Sequence, residues 1–452
     1  PAMTTTEPQP SGRRRGPPRD AWRFARVSAR RTWDTYWFVP GVAVLAALAL
    51  AVWLTRWDQV DPIELRRPIS PSSASAALAA LGSGMLAFTG FVTSVVLMVV
   101  QFGSTAFSPR LVGAFRQNRT LKYSLSTFSA TFLFALVSTA LIGIGGAEAA
   151  PTRTLVAALL LTLASLLMFL VLVNSTSNGL RVAEVVQTVD RLARDAFDAT
   201  YPSTASDAAA AQETANALAG QTPRQTILHR RVGSVIMGID RTGLCALARR
   251  HGALFELIPA IGDHVPPGAT LIRVHSSREV SERRLLHYIA LGSERTIDED
   301  PAFSIRLLVD VAIKALSPSI NDPTTAVQSL DRIEDLLRHA APKHLSVGAV
   351  TDTDGVVRLV YPTPTWDDLV ELALDEIRAF GAGQYQVTRR MLAMLDDLIA
   401  DVPSRRVPAL VRQRELLVDA VTNTIAESQR ADALVPDRQG LGMARRTITP
   451  SG

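Results

Sequence analysis

The stretch AALAALGSGMLAFTGFVTSVVLMVVQ, Ala76 to Gln101, decides the fold of this chain. It exceeds the roughly 20 residues that an α-helix needs to cross a hydrocarbon layer of ~30 Å, and it contains no charged residue. Three further windows are similarly apolar and uncharged in their middle: Trp37 to Trp57, Ser124 to Gly146 and Thr154 to Asn174. The sequence therefore predicts a membrane domain of four helices over residues 37–175.

Basic residues flank these spans unevenly. Eight arginines precede the first span, and the loop between the second and third spans carries Arg110, Arg116, Arg119 and Lys122 without an acid. Cytoplasmic loops carry an excess of Lys and Arg, so both termini are predicted to be cytoplasmic. Residues 1–36 then form a basic cytoplasmic segment.

The composition fits a membrane part joined to a soluble part. Of 452 residues, 47% are hydrophobic and 20% are charged, and the mean hydropathy is positive. The net charge of +5 is modest and is concentrated at the N-terminus, so it does not indicate a nucleic-acid partner. The single cysteine, Cys245, excludes an intrachain disulfide.

The pattern changes several times after the last span. Apolar residues at spacings of three and four predict a stalk helix, followed by an Ala- and Ser-rich linker, over 176–225. Strand-like runs such as VGSVIMGID predict a small β-rich unit at 226–281. Residues 282–428 are predicted to be helical, including a helix from Leu285 to Gly292, and 429–452 to be a disordered tail. The predicted fold class is thus a membrane α-helical protein with a cytoplasmic α+β domain.

One helical stretch is interrupted by KALSPSINDPTTA, Lys314 to Ala326. Pro318 stops the first helix. Asp322 and Pro323 suit the N-cap and first position of the next helix, as Asp300 and Pro301 do one helix earlier. Local chemistry leaves one polar group unexplained: Ser317, Ser319, Asn321, Thr324 and Thr325.

This stretch also carries a resemblance. ALSPSINDPTTA, preceded by FSIRLLVDVAIK and ERTIDEDP, resembles the signature of an uncharacterised family of predicted bacterial membrane proteins, the domain of unknown function 2254. The four-span layout is similar as well, from about residue 35 to 425. The resemblance implies a multi-pass protein of a bacterial cytoplasmic (inner) membrane, and it implies no activity.

Two interpretations of the signature compete, with a subunit interface as a third. In the first, the hydroxyls and Asn321 satisfy backbone groups at a tight corner between helices. In the second, a helix N-terminus presents amides and hydroxyls to an anionic ligand. The charge of Asp322 at the same helix start weakens the second interpretation.

No catalytic set is recognisable in the sequence. It contains no Walker loop, no GxGxxG after a strand, no HExxH and no GxSxG. The histidines do not pair convincingly with other metal ligands. The sequence therefore predicts no enzyme, no cofactor and no metal site.

The second span carries a polar stripe. At 100° per residue its members fall within about 40° of one line, with Leu97 and Met98 near it. They are Ser83, Gly90, Ser94, Gln101, Thr105 and Ser108. The stripe is either a seam of small residues against another helix of the same subunit or a pore wall shared among subunits. A hydroxyl line on the third span offers another seam: Ser124, Thr127, Thr131 and Ser138.

These patterns favour one function over a second, and over a third and weaker one, an enzyme acting on lipid at the inner leaflet. The first is a homo-oligomeric channel in membrane lipid, whose pore is lined by the second span, with Leu97 or Met98 as a constriction, and which has a cytoplasmic regulatory domain. The alternative is a membrane-anchored sensor or scaffold whose cytoplasmic domain binds a ligand, for which an anion is the candidate. The absence of charges inside the spans argues against an ion-coupled transporter.

Overall fold

The computed structural model describes residues 38–61, 70–106, 119–145, 151–179, 182–201, 213–214, 216–217, 221–297, 299–345 and 348–443. The predicted basic segment 1–36, the loop residues Arg110 and Arg116, and residues 444–452 lie outside this part. The chain divides into two compact units. One, here called the sheet unit, comprises Leu192–Phe303 and Pro342–Trp366. The other contains the membrane helices and the helices of 304–341 and 367–443.

Four helices in the described part are long and apolar enough to cross a membrane. They are α1 (Phe38–Val60), α2 (Pro71–Ala106), α3 (Arg119–Gly145) and α4 (Thr152–Gly179). A lipid-facing helix satisfies all its backbone groups internally, which is why an uninterrupted apolar run forms one. The predicted four-span fold, followed by a part with a small sheet and helices, is confirmed.

The third helix holds the membrane part together. It contacts α1, α2 and α4. Phe134 of α3 packs with Ala51 of α1 and Leu78 of α2, and Phe128 packs with Met85 of α2. Because all of these side chains are buried, α3 is the element around which the other spans pack.

The sheet unit follows α5 (Val182–Thr200) in the chain. It contains β1 (Gln225–Leu228), β2 (Ser234–Ile239), α6 (Arg241–Arg250), β3 (Leu254–Leu257), β4 (His264–Val265), β5 (Thr270–His275), α7 (Glu282–His287), β6 (Ile289–Gly292), β7 (Gly348–Thr351) and β8 (Val357–Tyr361). The strands form one sheet of order β1-β5-β3-β8-β7 and another of order β4-β2-β6. Their inner faces meet in a core that includes Phe255, Leu271 and Leu359.

Two predicted boundaries in this region are wrong. The β-rich unit does not end at residue 281, because β6 joins the smaller sheet and β8 pairs in parallel with β3, through Phe255 and Leu359. The predicted helix from Leu285 to Gly292 splits into the end of α7 and strand β6. The cause is the same in both cases, since a strand is stabilised by a partner that is distant in sequence.

The remaining helices are α8 (Pro301–Ala315), α9 (Pro323–Ala340), α10 (Trp366–Gly381), α11 (Tyr385–Asp401), α12 (Val407–Thr424) and α13 (Glu427–Ala433), with a 3₁₀ turn at Ser404–Arg406. The prediction of disorder from residue 429 is wrong as far as residue 443. Buried Asp437 accepts hydrogen bonds from the amides of Gln439, Gly442 and Met443, and Arg389 donates to the carbonyl of Asp432. Polar side chains therefore order a segment that carries few apolar residues.

Candidate functional site

The polar stripe of α2 lies on the face of the helix that the described residues of the chain leave uncovered. Ser83, Gly90, Ser94 and Gln101 are exposed, and Leu97 and Met98 are 58% and 57% exposed. The side chain of Thr105 and the whole of Ser108 lie outside the described residues. The structure thus brings six of the eight predicted pore-lining residues to one open face.

The opposite face of α2 packs against the rest of the chain. Its buried residues are Ala74, Leu78, Gly82, Met85 and Val92. A Cβ added at Gly82 would lie 3.5 Å from the Cβ of Ala135 in α3, which is ordinary van der Waals contact. The close helix-to-helix contact within the subunit is therefore on this face, and no described helix of the same chain packs against the described part of the stripe.

The hydroxyls of the stripe are satisfied along the helix. Ser83 Oγ donates to the carbonyl of Ala80 at 3.1 Å, and Ser94 Oγ donates to that of Gly90 at 3.0 Å. Such bonds let a serine face lipid, water or another protein surface without an unsatisfied donor. The open face can accordingly accept either a second copy or water.

The third-span hydroxyl line is the seam within the subunit. Ser124, Thr131 and Ser138 are buried and Thr127 is half-buried. Thr131 Oγ1 lies 2.9 Å from Ser165 Oγ of α4. Ser124 Oγ donates to the carbonyl of Met168 at 3.3 Å. The partner of this line is thus α4, and the interpretation of α3 as the seam-forming span agrees with its central position.

The signature KALSPSINDPTTA forms a corner between α8 and α9. The Asp322 carboxylate accepts from the amide of Thr325 at 3.1 Å and from its hydroxyl at 2.6 Å, so it occupies the start of α9. Ser317 Oγ donates to the carbonyl of Lys314 at 2.7 Å. Asn321 has a φ of 49°, a left-handed conformation that Asn tolerates better than most residues. This left-handed turn explains the Asn, and the sequence pattern alone did not reveal it.

The same corner touches the turn before α11. Gln384 Nε2 lies 3.4 Å from Asn321 Oδ1, and Gln386 Nε2 lies 3.5 Å from Thr324 Oγ1. Pro318, Ser319 and Asn321 are exposed. Since the Asp322 carboxylate already accepts from the amide of Thr325 at the start of α9, an anion at that point would meet a negative charge. The geometry favours the structural corner over a site for an anionic ligand.

A buried polar cluster in the sheet unit was not singled out by the sequence pattern. Arg241 Nη2 lies 3.8 Å from Glu299 Oε2, and both side chains are almost fully buried. Glu299 Oε2 also accepts from the amide of Ile239 at 3.1 Å, and the Arg241 guanidinium lies 5.4 Å from the ring centroid of Tyr361. The Tyr201 hydroxyl donates to the carbonyl of Pro364 at 3.2 Å. Charged residues are rarely buried, and buried ionisable groups concentrate at functional sites. This cluster is therefore a second candidate site.

Asp300 belongs to this cluster and has the most perturbed carboxyl group. It is 4% exposed, and its Oδ1 accepts from the amide of Phe303 at 3.0 Å, which confirms the predicted cap of α8. Burial raises the pKa of Asp300 to about 6, against the lowering effect of the Phe303 amide and of Arg295. Burial, with Tyr361 and Asp300 nearby, also raises the pKa of the Tyr201 phenol.

Metal binding has no visible centre in the described part of the chain. No group of three or more His, Cys, Asp or Glu side chains there is arranged to hold an ion. The candidate features are thus the open face of α2, the signature corner and the Asp300 cluster.

The match to a family model covers most of these features. Residues 33–397 match the model described as "Predicted membrane protein (DUF2254)". The chain belongs to this family. The match includes the four spans, the signature and the Asp300 cluster, and the resemblance inferred from ALSPSINDPTTA is confirmed. The protein is a membrane protein.

Curated relatives support the same family. Uncharacterized proteins of Mycobacterium bovis and of Mycobacterium tuberculosis are each 26% identical to this chain over 383 residues. In both cases the match covers 81% of this chain and 71% of the relative. Neither name states an activity. No solved structure matches this member of the family.

Proposed function

We propose that this protein is a homo-oligomeric channel of a bacterial inner membrane, with both termini in the cytoplasm and with α2 lining the pore. The observation that carries the proposal is the open face of α2, because its serines, glycine and glutamine face away from the chain's own helices. A second copy related by rotation about an axis beside this face would enclose it. Leu97 and Met98 would then form an apolar constriction, of the kind that gates by dewetting.

The electrostatics of the spans fit a channel better than a coupled transporter. The described parts of the four spans carry their charged groups at their ends. They are Arg56 and Asp58 near the end of α1, Arg119 and Lys122 in the first turn of α3, and Arg153 in the first turn of α4. Coupled transport usually needs ionisable groups at mid-membrane. A pore of backbone-bonded serines with one amide needs none.

Ion flux across a reconstituted bilayer tests the proposal. The purified wild-type protein is expected to release a trapped ion or carry current in a planar bilayer. Ser94→Leu should reduce the flux severalfold, because it narrows the pore with an apolar side chain, and Gln101→Ala should change the conductance. Leu163→Phe on the lipid-facing side of α4 is the matched control, since Leu163 is as exposed as the stripe and lies on another helix.

Two results would contradict a channel. The first is silent bilayers under voltage and membrane tension with well-folded protein. The second is a flux that Leu163→Phe reduces as much as Ser94→Leu does. Either would favour the alternative, a membrane-anchored sensor or scaffold, for which the buried charged cluster around Asp300 is the specific supporting observation.

A further inference from the structure

The start of α8 carries a carboxylate oxygen without a hydrogen-bond donor. Asp300 uses Oδ1 to cap the helix, whereas its Oδ2 is buried and receives no hydrogen bond from the described residues. Burying an ionised carboxylate is costly unless its oxygens are paired. The cap explains one oxygen of Asp300 and leaves the other unexplained.

The unbonded oxygen lies directly against a tight turn. A Cβ added at Gly262 would be only 2.3 Å from Asp300 Oδ2, and Gly262 has a φ of +93°. The backbone of this turn, residues 260–263, bonds to Ile236 of β2: the Gly262 amide donates to its carbonyl at 2.8 Å, and the Asp263 carbonyl accepts from its amide at 3.0 Å. Two further contacts involve side chains. Arg295 Nε donates to the carbonyl of Gly262 at 2.7 Å, and Asp263 Oδ2 accepts from the amide of Ala260 at 2.8 Å. The start of α8 therefore packs against the 260–263 turn, and the Asp300 carboxylate lies at the contact between them.

The charges that face Asp300 do not neutralise it. Among the described residues, Arg295 favours its ionised form, whereas burial and the Asp263 carboxylate disfavour it. The neighbouring Glu299 lies 3.8 Å from Arg241, so its charge has its own cation. When Asp300 is ionised, its contact with the amides at the start of α8 is favourable. Its contact with the turn is unfavourable, because the turn brings the Asp263 carboxylate close and gives Oδ2 no hydrogen-bond donor.

We propose that Asp300 is a proton-operated latch in the sheet unit. In its neutral form it keeps the start of α8, residues 299–303, seated against the 260–263 turn. In its ionised form it favours opening of this contact, because water then reaches the second oxygen. The proton is the ligand of this site, and the proposal does not depend on whether α2 lines a pore.

Hydrogen exchange on the full chain in detergent tests the latch. After correction for the intrinsic exchange rate, amides of 299–303 are expected to exchange about tenfold faster at pH 7.5 than at pH 5.0. This factor follows from a carboxyl group that titrates near pH 6 when closed and near its ordinary value when open. Asp300→Asn should abolish the difference, because Asn still caps the helix and cannot ionise.

Two variants make the test specific. Asp322→Asn removes the charge of the other Asp-Pro cap and should leave the pH dependence at 299–303 unchanged. Asp263→Asn removes a like charge and should move the midpoint to lower pH. The latch is overturned by a wild-type exchange rate that is flat between pH 5.0 and 7.5, by a pH dependence that survives in Asp300→Asn, or by a midpoint that Asp263→Asn does not move.

Discussion

A carboxylate on the first membrane helix caps the start of the fourth. Asp58 is buried, and it accepts from the amides of Arg153 and Thr154 at 3.2 and 2.9 Å and from the Thr154 hydroxyl at 2.8 Å. Arg153 also pairs with exposed Asp61 and lies over the Trp57 ring. A negative charge at a helix N-terminus is favourable, so this contact joins α1 to α4.

The two aspartates allow a matched comparison of their contributions. Asp58→Ala should lower the free energy of unfolding by about 3 kcal/mol, because it leaves buried donors unsatisfied. Asp61→Ala should cost less than about 1 kcal/mol, as an exposed ion pair does. Unfolding in mixed detergent and SDS micelles measures both. Equal losses for the two variants would show that Asp58 is not a cap.

Asp300 gives a pH dependence of stability with a definite sign. Its pKa is raised in the folded state, from about 3.8 to about 6. Protonation of Asp300 therefore favours the folded state. This stabilisation is fully present below pH 3.8 and is lost as the pH rises through 6. Over that window this group alone should lower the free energy of unfolding of the sheet unit by about 3 kcal/mol.

Chemical denaturation at a series of pH values measures this contribution. Asp300→Asn should be more stable than the wild type at pH 7 and nearly equal to it at pH 4. An Asp300→Asn variant that is less stable than the wild type at pH 7 would mean that the charge of Asp300 stabilises the fold.

Among the elements of the sheet unit, two turns contain a glycine with positive φ, the 260–263 turn with Gly262 and the following turn with Gly268. The two glycines differ in what surrounds them. Gly262 and Gly268 both have positive φ, +93° and +85°. A Cβ at Gly262 would meet Asp300, whereas nothing lies within 4 Å of a Cβ at Gly268. The first glycine is required by both its conformation and its neighbour, the second by its conformation alone.

Alanine at each position separates the two effects. Gly268→Ala should cost about 1 kcal/mol for the left-handed backbone. Gly262→Ala should lower the free energy of unfolding by at least about 2 kcal/mol more, since its Cβ would also clash with the Asp300 carboxylate. The difference in thermal melting temperature between the two variants is the measurement. Similar melting temperatures would show that the start of α8 is not seated tightly on the turn.

The membrane elements were predictable from the sequence and several of the others were not. Lipid requires a long uninterrupted apolar run, so hydropathy alone located α1 to α4. Strand β8 depends on β3, about a hundred residues earlier, and no local pattern reports such a pairing. The tail near Asp437 is ordered by side-chain contacts rather than by apolar residues, which composition does not show.

The candidate site was predictable only in part, for the same reason. Helical periodicity placed Ser83, Ser94 and Gln101 on one line, but only the packing of α2 on α3 shows that this line is open. Asp300 was predicted as a cap and is one. Its buried second oxygen depends on Gly262, which is distant in sequence, and so it could not be foreseen.

In the whole molecule, the proposed pore depends on what covers the open face of α2. The described residues of one chain leave this face uncovered, while the opposite face of α2 packs against α3. A rotationally symmetric assembly would place the same face of each copy around one axis. The open face of α2 would then lie close to the same face of another copy and would also be in contact with water.

Cysteine chemistry at this face tests the claim most directly. Cys245 is the single cysteine of the chain, so Cys245→Ala gives a background without thiols. In that background, Ser94→Cys is placed in a membrane and treated with an oxidant or with a membrane-impermeant thiol reagent. Leu163→Cys on α4 serves as the lipid-facing control. If α2 lines a pore shared among copies, Ser94→Cys should form disulfide-linked dimers and be modified by the reagent, and Leu163→Cys should do neither. A Ser94→Cys variant that forms no dimer and stays unmodified would contradict the proposed pore.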